Sequence, residues 1–173
     1  SVLGVGAIAI SPLDSNVIYI GTGEVYGYGI SIGGISVRTT RGSYGIGILK
    51  TTNGGLHWKK TLDWSFNSMR GGQVGKINPL NPNTVWAGTS EGTYRTFDGG
   101  AQWEQIDTNI MVTDLVINPN DTGTVLIACG NLNSPGNGFY KTVNSGASWT
   151  KITSGLPTSY GGKAIFSVYK NSP

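Results

Sequence analysis

Charge is scarce in this chain: only 12% of its 173 residues are charged, about half the usual share of roughly 25%. The 12 basic and 9 acidic groups leave a net charge of +3, too dilute for a nucleic-acid footprint. The single cysteine, Cys129, excludes an intrachain disulfide and a cysteine-rich metal site. With one histidine beside that one cysteine, a zinc site lacks ligands. No apolar run approaches the length of a membrane-spanning helix. No initiator methionine and no signal peptide opens the chain at Ser1, so a processed or excised piece is expected.

Glycine is abundant, at 28 residues, and aromatics reach 10% with five tryptophans. A helical bundle needs charged faces and few glycines, and a disordered chain carries few aromatics, so both classes are disfavoured.

A repeat organises what remains. Three eight-residue segments align: Thr51-Thr-Asn-Gly-Gly-Leu-His-Trp58, Thr96-Phe-Asp-Gly-Gly-Ala-Gln-Trp103 and Thr142-Val-Asn-Ser-Gly-Ala-Ser-Trp149, with their tryptophans 45 and 46 residues apart. Upstream of each lies a second matching block, Ile10-Ser-Pro, Ile77-Asn-Pro and Ile117-Asn-Pro, each running into Asp or Asn. Two blocks recurring in the same order mark a true internal repeat.

Each unit reads as four short β-branched or aromatic strands separated by Pro, Asn, Asp and Gly clusters. The expected strands are Val5–Ile10, Val17–Gly21, Gly47–Thr51 and His57–Leu62 in the first unit. The second gives Gly72–Ile77, Thr84–Gly88, Thr93–Thr96 and Gln102–Ile106, and the third Val112–Ile117, Thr124–Cys129, Gly138–Thr142 and Ser148–Thr153. Four strands every 45 residues or so is the pattern of a propeller blade, so the expected fold is all-β, a partial β-propeller of three four-stranded antiparallel blades. The blades span roughly residues 5–62, 72–106 and 112–153, and a fourth, incomplete at 163–173, opens with Lys163-Ala-Ile-Phe-Ser-Val168. Because closed propellers have four to eight blades, the remaining blades of a longer protein, or another chain, are expected to complete it. A self-contained open stack is the alternative.

Within each eight-residue segment, Asn53, Asp98 and Asn144 can accept hydrogen bonds from the amides of a tight turn. Gly55, Gly100 and Gly146 supply the positive φ such a turn requires. Trp58, Trp103 and Trp149 are expected to fold back between neighbouring sheets, each burial contributing about 4–6 kcal/mol before entropy is subtracted.

These Ser/Thr-x-Asp-x-Gly-x-x-Trp segments, with Asn replacing Asp twice, resemble the Asp box, or bacterial neuraminidase repeat. Asp boxes occur in sialidases, xyloglucan-hydrolysing propellers, sortilin-type receptors and a photosystem assembly propeller. The resemblance covers nearly the whole chain and implies the propeller fold. It implies no single activity, because enzymes and receptors share the box.

Strand parity puts the short Pro/Asn turns and the boxes on one side of the blades. The variable segments Thr22–Ile46, Asp63–Gly71, Gly130–Asn137 and Ser154–Gly162 fall on the other, where long irregular loops on a rigid scaffold usually carry function. The 22–46 insertion gathers Glu24, Tyr26, Tyr28, Arg38, Arg41 and Tyr44, and the 63–71 crossing adds Trp64, Phe66 and Arg70. Aromatic platforms with forked donors suit a carbohydrate or peptide ligand. The competing reading is that these rings only pack the loop onto its blade.

Catalysis lacks residues. No spacing among the nine acids marks an acid–base pair, and Asp114, within an inner strand, is expected to find a structural partner. The Arg-Ile-Pro segment of sialidases is absent. His57 sits inside a box turn, so a Ser-His-Asp triad would have to use a structural element. No catalytic residue, cofactor or metal is assigned. The leading expectation is a non-catalytic extracellular scaffold or binding module, secreted or on the cell surface. The alternatives are a portion of a glycoside hydrolase whose carboxylates lie partly outside this chain, and a structural subunit assembling through open blade edges.

Overall fold

The computed structural model describes residues 3–40, 42–66, 69–130, 134–156 and 162–169. Among these residues there is no helix, and fourteen strands fall into three four-stranded antiparallel sheets plus a two-stranded one.

The first sheet comprises β1 (Val5–Ile10), β2 (Ile18–Thr22), β5 (Gly47–Thr51) and β6 (Lys59–Asp63), in that order. Between β2 and β5, the two-stranded sheet is formed by β3 (Val25–Ile30) and β4 (Ser36–Thr40). The second sheet runs β7 (Gly72–Ile77), β8 (Val85–Thr89), β9 (Gly92–Thr96) and β10 (Glu104–Asp107). The third runs β11 (Val112–Ile117), β12 (Val125–Cys129), β13 (Gly138–Thr142) and β14 (Thr150–Ile152). The fourth strand of each sheet starts two residues later than the sequence suggests, because the box turn holds the residues up to and including the tryptophan. Each first strand breaks register with its neighbour at the same point, between Val5 and Ala7, Gly72 and Val74, and Val112 and Asp114. Such bulges increase local twist, and here they recur in register with the repeat.

The sheets pack side by side, with β1 against β7 and β7 against β11. Close approach is possible because glycine faces glycine: a Cβ on Gly72 would stand 2.7 Å from Gly21 Cα. Two apolar clusters fill the boundaries. Tyr19, Ile48, Trp64, Val85 and Ala87 join the first and second sheets, with Trp103 packed against them. Trp86, Val112, Leu115, Ile127 and Tyr140 join the second and third, with Trp149 against them and its ring 6.3 Å from Trp86 in an edge-on contact. Trp103 and Trp149 therefore pack toward the sheet preceding their own. Trp58 departs from the expected lock: it is 40% exposed, and among the described residues no neighbouring sheet packs over it as the first and second sheets do over Trp103 and Trp149.

The box turns share one hydrogen-bond pattern. Thr51, Thr96 and Thr142 are buried, and their hydroxyls accept the amides of Gly55, Gly100 and Gly146 at 3.0, 3.0 and 2.9 Å. The same hydroxyls donate to Asn53, Asp98 and Asn144, whose Oδ1 atoms accept the amides of His57, Gln102 and Ser148. A carbonyl of each upstream turn accepts an amide of its box, as in Gly99 N–H to Asn83 O at 2.9 Å.

The expected opening strand of a fourth unit is not formed over the described residues 163–169. That segment instead lies on the third sheet. Phe166 N–H donates to the buried Asp114 carboxylate at 2.6 Å, and the Phe166 ring meets Phe139 at 5.8 Å. Asp114 thus has the structural partner expected of it. Asn171–Pro173 lie outside the described residues.

Candidate functional site

The 22–46 insertion is a β-hairpin, not the irregular loop that its length suggests. Ile30-Ser-Ile and Ile35-Ser-Val alternate on either side of Gly33-Gly34, and both glycines have positive φ (100° and 81°) where the chain reverses. That Gly-Gly pair between β-branched alternations was the available signal.

The hairpin is fixed at its base. Ile46 and Gly47 amides donate to the buried Thr22 hydroxyl at 2.9 and 3.0 Å. Gly45 N–H donates to Arg70 O at 2.7 Å, joining the insertion to the 63–71 crossing. Gln73 donates from Nε2 to Val25 O. Arg38 reaches the second sheet: Nε and a terminal nitrogen lie 3.2 and 3.4 Å from the two Glu91 oxygens. Its guanidinium lies 4.9 Å from the Tyr28 ring centroid, and Tyr44 Oη donates to Arg38 O at 2.8 Å. Loops on this side are stitched in sequence, with Ser90 N–H on Gly71 O, Met111 N–H on Ser90 O and Gly130 N–H on Met111 O.

The structure therefore sorts the predicted ligand contacts. Tyr26, Tyr28, Tyr44 and Arg70 are half-buried around the hairpin base, and Glu24 is exposed. Arg38 is not a free fork, since Glu91 and Tyr28 hold it. Trp64 is a correction: at 2% exposure it belongs to the core between the first two sheets, because its position directly after β6 turns it inward. Arg41 lies outside the described residues. Glu91, on the β8–β9 turn, is placed beside this face by its position in the sequence, but its pairing with Arg38 is not legible there, and Gln73 of β7 has no local motif to announce it. Also missed was an apolar tip, where Ile30, Ile32 and Ile35 are all exposed.

Electrostatics on this side tie up Asp63 as well as Glu91. Asp63 accepts the Ser65 hydroxyl and amide and pairs with Lys60, which holds its pKa down to about 2. Burial raises Tyr94 above its ordinary value, with Arg70 acting against that shift. Cys129 is wholly buried, and desolvation drives its thiol far up. No group of three potential metal-ligating side chains occurs among the described residues.

No family model matches the chain, and no curated protein sequence matches it. Solved structures do match. The GH74 enzyme of Niastella koreensis is similar over 87% of this chain and 23% of its own, at 20% identity and a TM-score of 0.61. The GH74 xyloglucanase of Xanthomonas campestris is similar over 89% of this chain and 24% of its own, at 16% identity and a TM-score of 0.60. YCF48 bound to D1 peptide is similar over 86% of this chain and 40% of its own, at 17% identity and a TM-score of 0.53. The chain spans less than half the length of each, and likeness at such identities speaks to architecture alone. That architecture is a run of β-propeller blades, a partial propeller built from three four-stranded sheets.

Proposed function

We propose that this chain is a non-catalytic extracellular scaffold or binding module, part of a larger Asp-box propeller of a secreted or surface protein. Residues 5–62, 72–106 and 112–153 are its blades, and 163–173, which forms no strand over its described residues, would open a further one only when other blades or another chain supply its pairing. Its ligand contacts lie on the 22–46 hairpin and the 63–71 crossing, through Glu24, Tyr26, Tyr28, Tyr44, Arg70 and Arg41.

One observation carries this reading: Arg38 clamps the hairpin to Glu91 of the neighbouring blade, so the tip is held rigidly away from the scaffold. Preorganised display of apolar and phenolic groups lowers the ordering cost of binding. Glu91 and Asp63 serve Arg38 and Lys60, which favours recognition over acid–base chemistry on this face. Three exposed isoleucines beside tyrosines favour a polypeptide segment over a sugar, and the YCF48 propeller, similar in fold, binds a peptide.

Selection of a displayed random-peptide library on the chain tests this. Enriched peptides should lose binding to Tyr28→Ala and Ile32→Asp variants whose melting midpoints match the parent. Peptides that bind both variants undiminished would remove the hairpin from the reading. So would a Tyr28→Ala midpoint lowered as far as that of Trp103→Ala.

A further inference from the structure

The β3–β4 hairpin is a sheet of two strands, so both of its strands are edges. A sheet edge offers a row of backbone donors and acceptors, which natural proteins usually cover or guard with charge. Ser31 N–H donates to Ile35 O at 2.9 Å, so these two form a hydrogen-bonded pair. Alternation along the register makes Gly29–Val37 and Gly27–Thr39 bonded pairs as well. It turns the amides and carbonyls of Tyr28 and Ile30 outward from β3, and those of Ser36 and Arg38 outward from β4.

The two edges differ. On β4, Tyr44 Oη caps Arg38 O at 2.8 Å, and the Arg38 side chain carries a charge to Glu91. On β3, the outward backbone groups of Tyr28 and Ile30 have no hydrogen-bond partner among the described residues. The blades supply an internal comparison. Their outermost strands are guarded by charge: Lys59, Lys60 and Asp63 on β6, Glu104 and Asp107 on β10, and Lys151 on β14. β3, Val25-Tyr-Gly-Tyr-Gly-Ile30, has neither charge nor proline. The hairpin's position is set within this chain, because Gln73 on Val25 O and Glu91 on Arg38 tie both of its strands to the second blade.

Glycine adds a further feature. Gly29 has no positive φ, and a Cβ there would meet Val37 Cγ2 at an ordinary 3.5 Å, so the fold does not require glycine at this position. Glycine inside a strand weakens it and often marks a place where another backbone comes close.

We infer that a polypeptide segment adds to β3 as a third, antiparallel strand, its backbone paired with Tyr28 and Ile30 and an aromatic side chain lying across Gly29. An extended backbone presents donors and acceptors at the matching two-residue spacing. An aromatic ring opposite an edge glycine restores the packing that the glycine lacks. The inference rests on the reading of the hairpin as a peptide-binding face and names the form in which the peptide is held.

The probe is the blocked peptide acetyl-Lys-Thr-Phe-Val-Phe-Thr-Lys-amide, titrated into the isotope-labelled full chain while amide exchange is followed by nuclear magnetic resonance. Saturation should slow exchange at Tyr28 and Ile30 by about tenfold or more, whereas Gly27 and Gly29, already bonded to β4, should change little. N-methylation of the valine removes a donor that faces β3 and should weaken binding by about tenfold or more. N-methylation of either phenylalanine, whose N–H points away, should not. Serine in place of both phenylalanines should weaken binding by a similar factor. Four results would each overturn the inference: no saturable binding at millimolar concentration, unchanged exchange at Tyr28 and Ile30, equal affinity of the methylated forms, or undiminished binding of the serine peptide. Display-selected peptides that still lose binding to Ile32→Asp would in that case keep the hairpin as a binding face without strand addition. Peptides that bind Ile32→Asp undiminished would remove both.

Discussion

Arg38 Nε stands 3.2 Å from Glu91 Oε1, a contact between residues 53 positions apart that pins the β3–β4 hairpin of one blade to the β8–β9 turn of the next. The guanidinium is largely covered, so this pair differs from the solvated ion pairs that contribute nothing measurable. It makes the hairpin a rigid attachment to two blades at once.

Removing that clamp should loosen the hairpin without unfolding the sheets. Arg38→Met is expected to cost about 1–2 kcal/mol locally, the range for hydrogen bonds to a charged group. Amides of β3 and β4 should exchange faster, while those of β8 and β12 keep their protection. Uniform loss of protection across all sheets would show that the clamp supports the whole fold.

The box tryptophans should not be equivalent. Trp103→Ala removes a ring packed against the first inter-blade cluster and is expected to cost about 3–5 kcal/mol. Trp58→Ala, at a site 40% exposed among the described residues, should cost less than half as much in this chain. Chemical denaturation of both variants measures the difference, and equal losses would contradict the observed packing.

Acid sensitivity should reside partly in the second box. The amide of Gln102, then the hydroxyl of Thr96, hold the Asp98 pKa below its ordinary value. The unfolded chain therefore takes up that proton first. The stability this carboxylate contributes is full above about pH 4 and is lost as pH falls through the lower folded value. Asp98→Asn copies Asn53 and Asn144, so it should keep the turn and flatten part of the acid limb of the melting midpoint. Asp63, with its pKa near 2, leaves a residual slope in the same direction. An unchanged acid limb would remove Asp98 from the account.

Glycine at the first blade boundary should resist replacement. A Cβ on Gly72 would stand 2.7 Å from Gly21 Cα, whereas one on Gly75 would meet Ala9 Cβ at an ordinary 3.5 Å. Gly72→Ala is expected to destabilise by about 1–3 kcal/mol or more, as overpacking does. Gly75→Ala should be neutral or slightly stabilising. Urea midpoints of the two variants decide the matter.

Local chemistry left its mark on the sequence wherever it repeats. The Thr-x-Asn/Asp-x-Gly turns, the Pro/Asn turns and the four-strand rhythm are satisfied within a dozen residues, so three sheets and most strand limits were readable directly. The three box tryptophans are alike in sequence, yet Trp103 and Trp149 are packed and Trp58 is exposed, because burial depends on which sheet stands behind. Trp64 reads as a ligand platform beside Phe66 and Arg70 until the second sheet closes over it. The Gly33-Gly34 reversal was written in the insertion, but nothing in the order of residues tells Arg38 that its partner is Glu91. Short-range hydrogen bonding and side-chain alternation fixed the blades from sequence. Which rings are core, which cations are neutralised and which are left open depends on contacts across blade boundaries, and only the tertiary structure decided those.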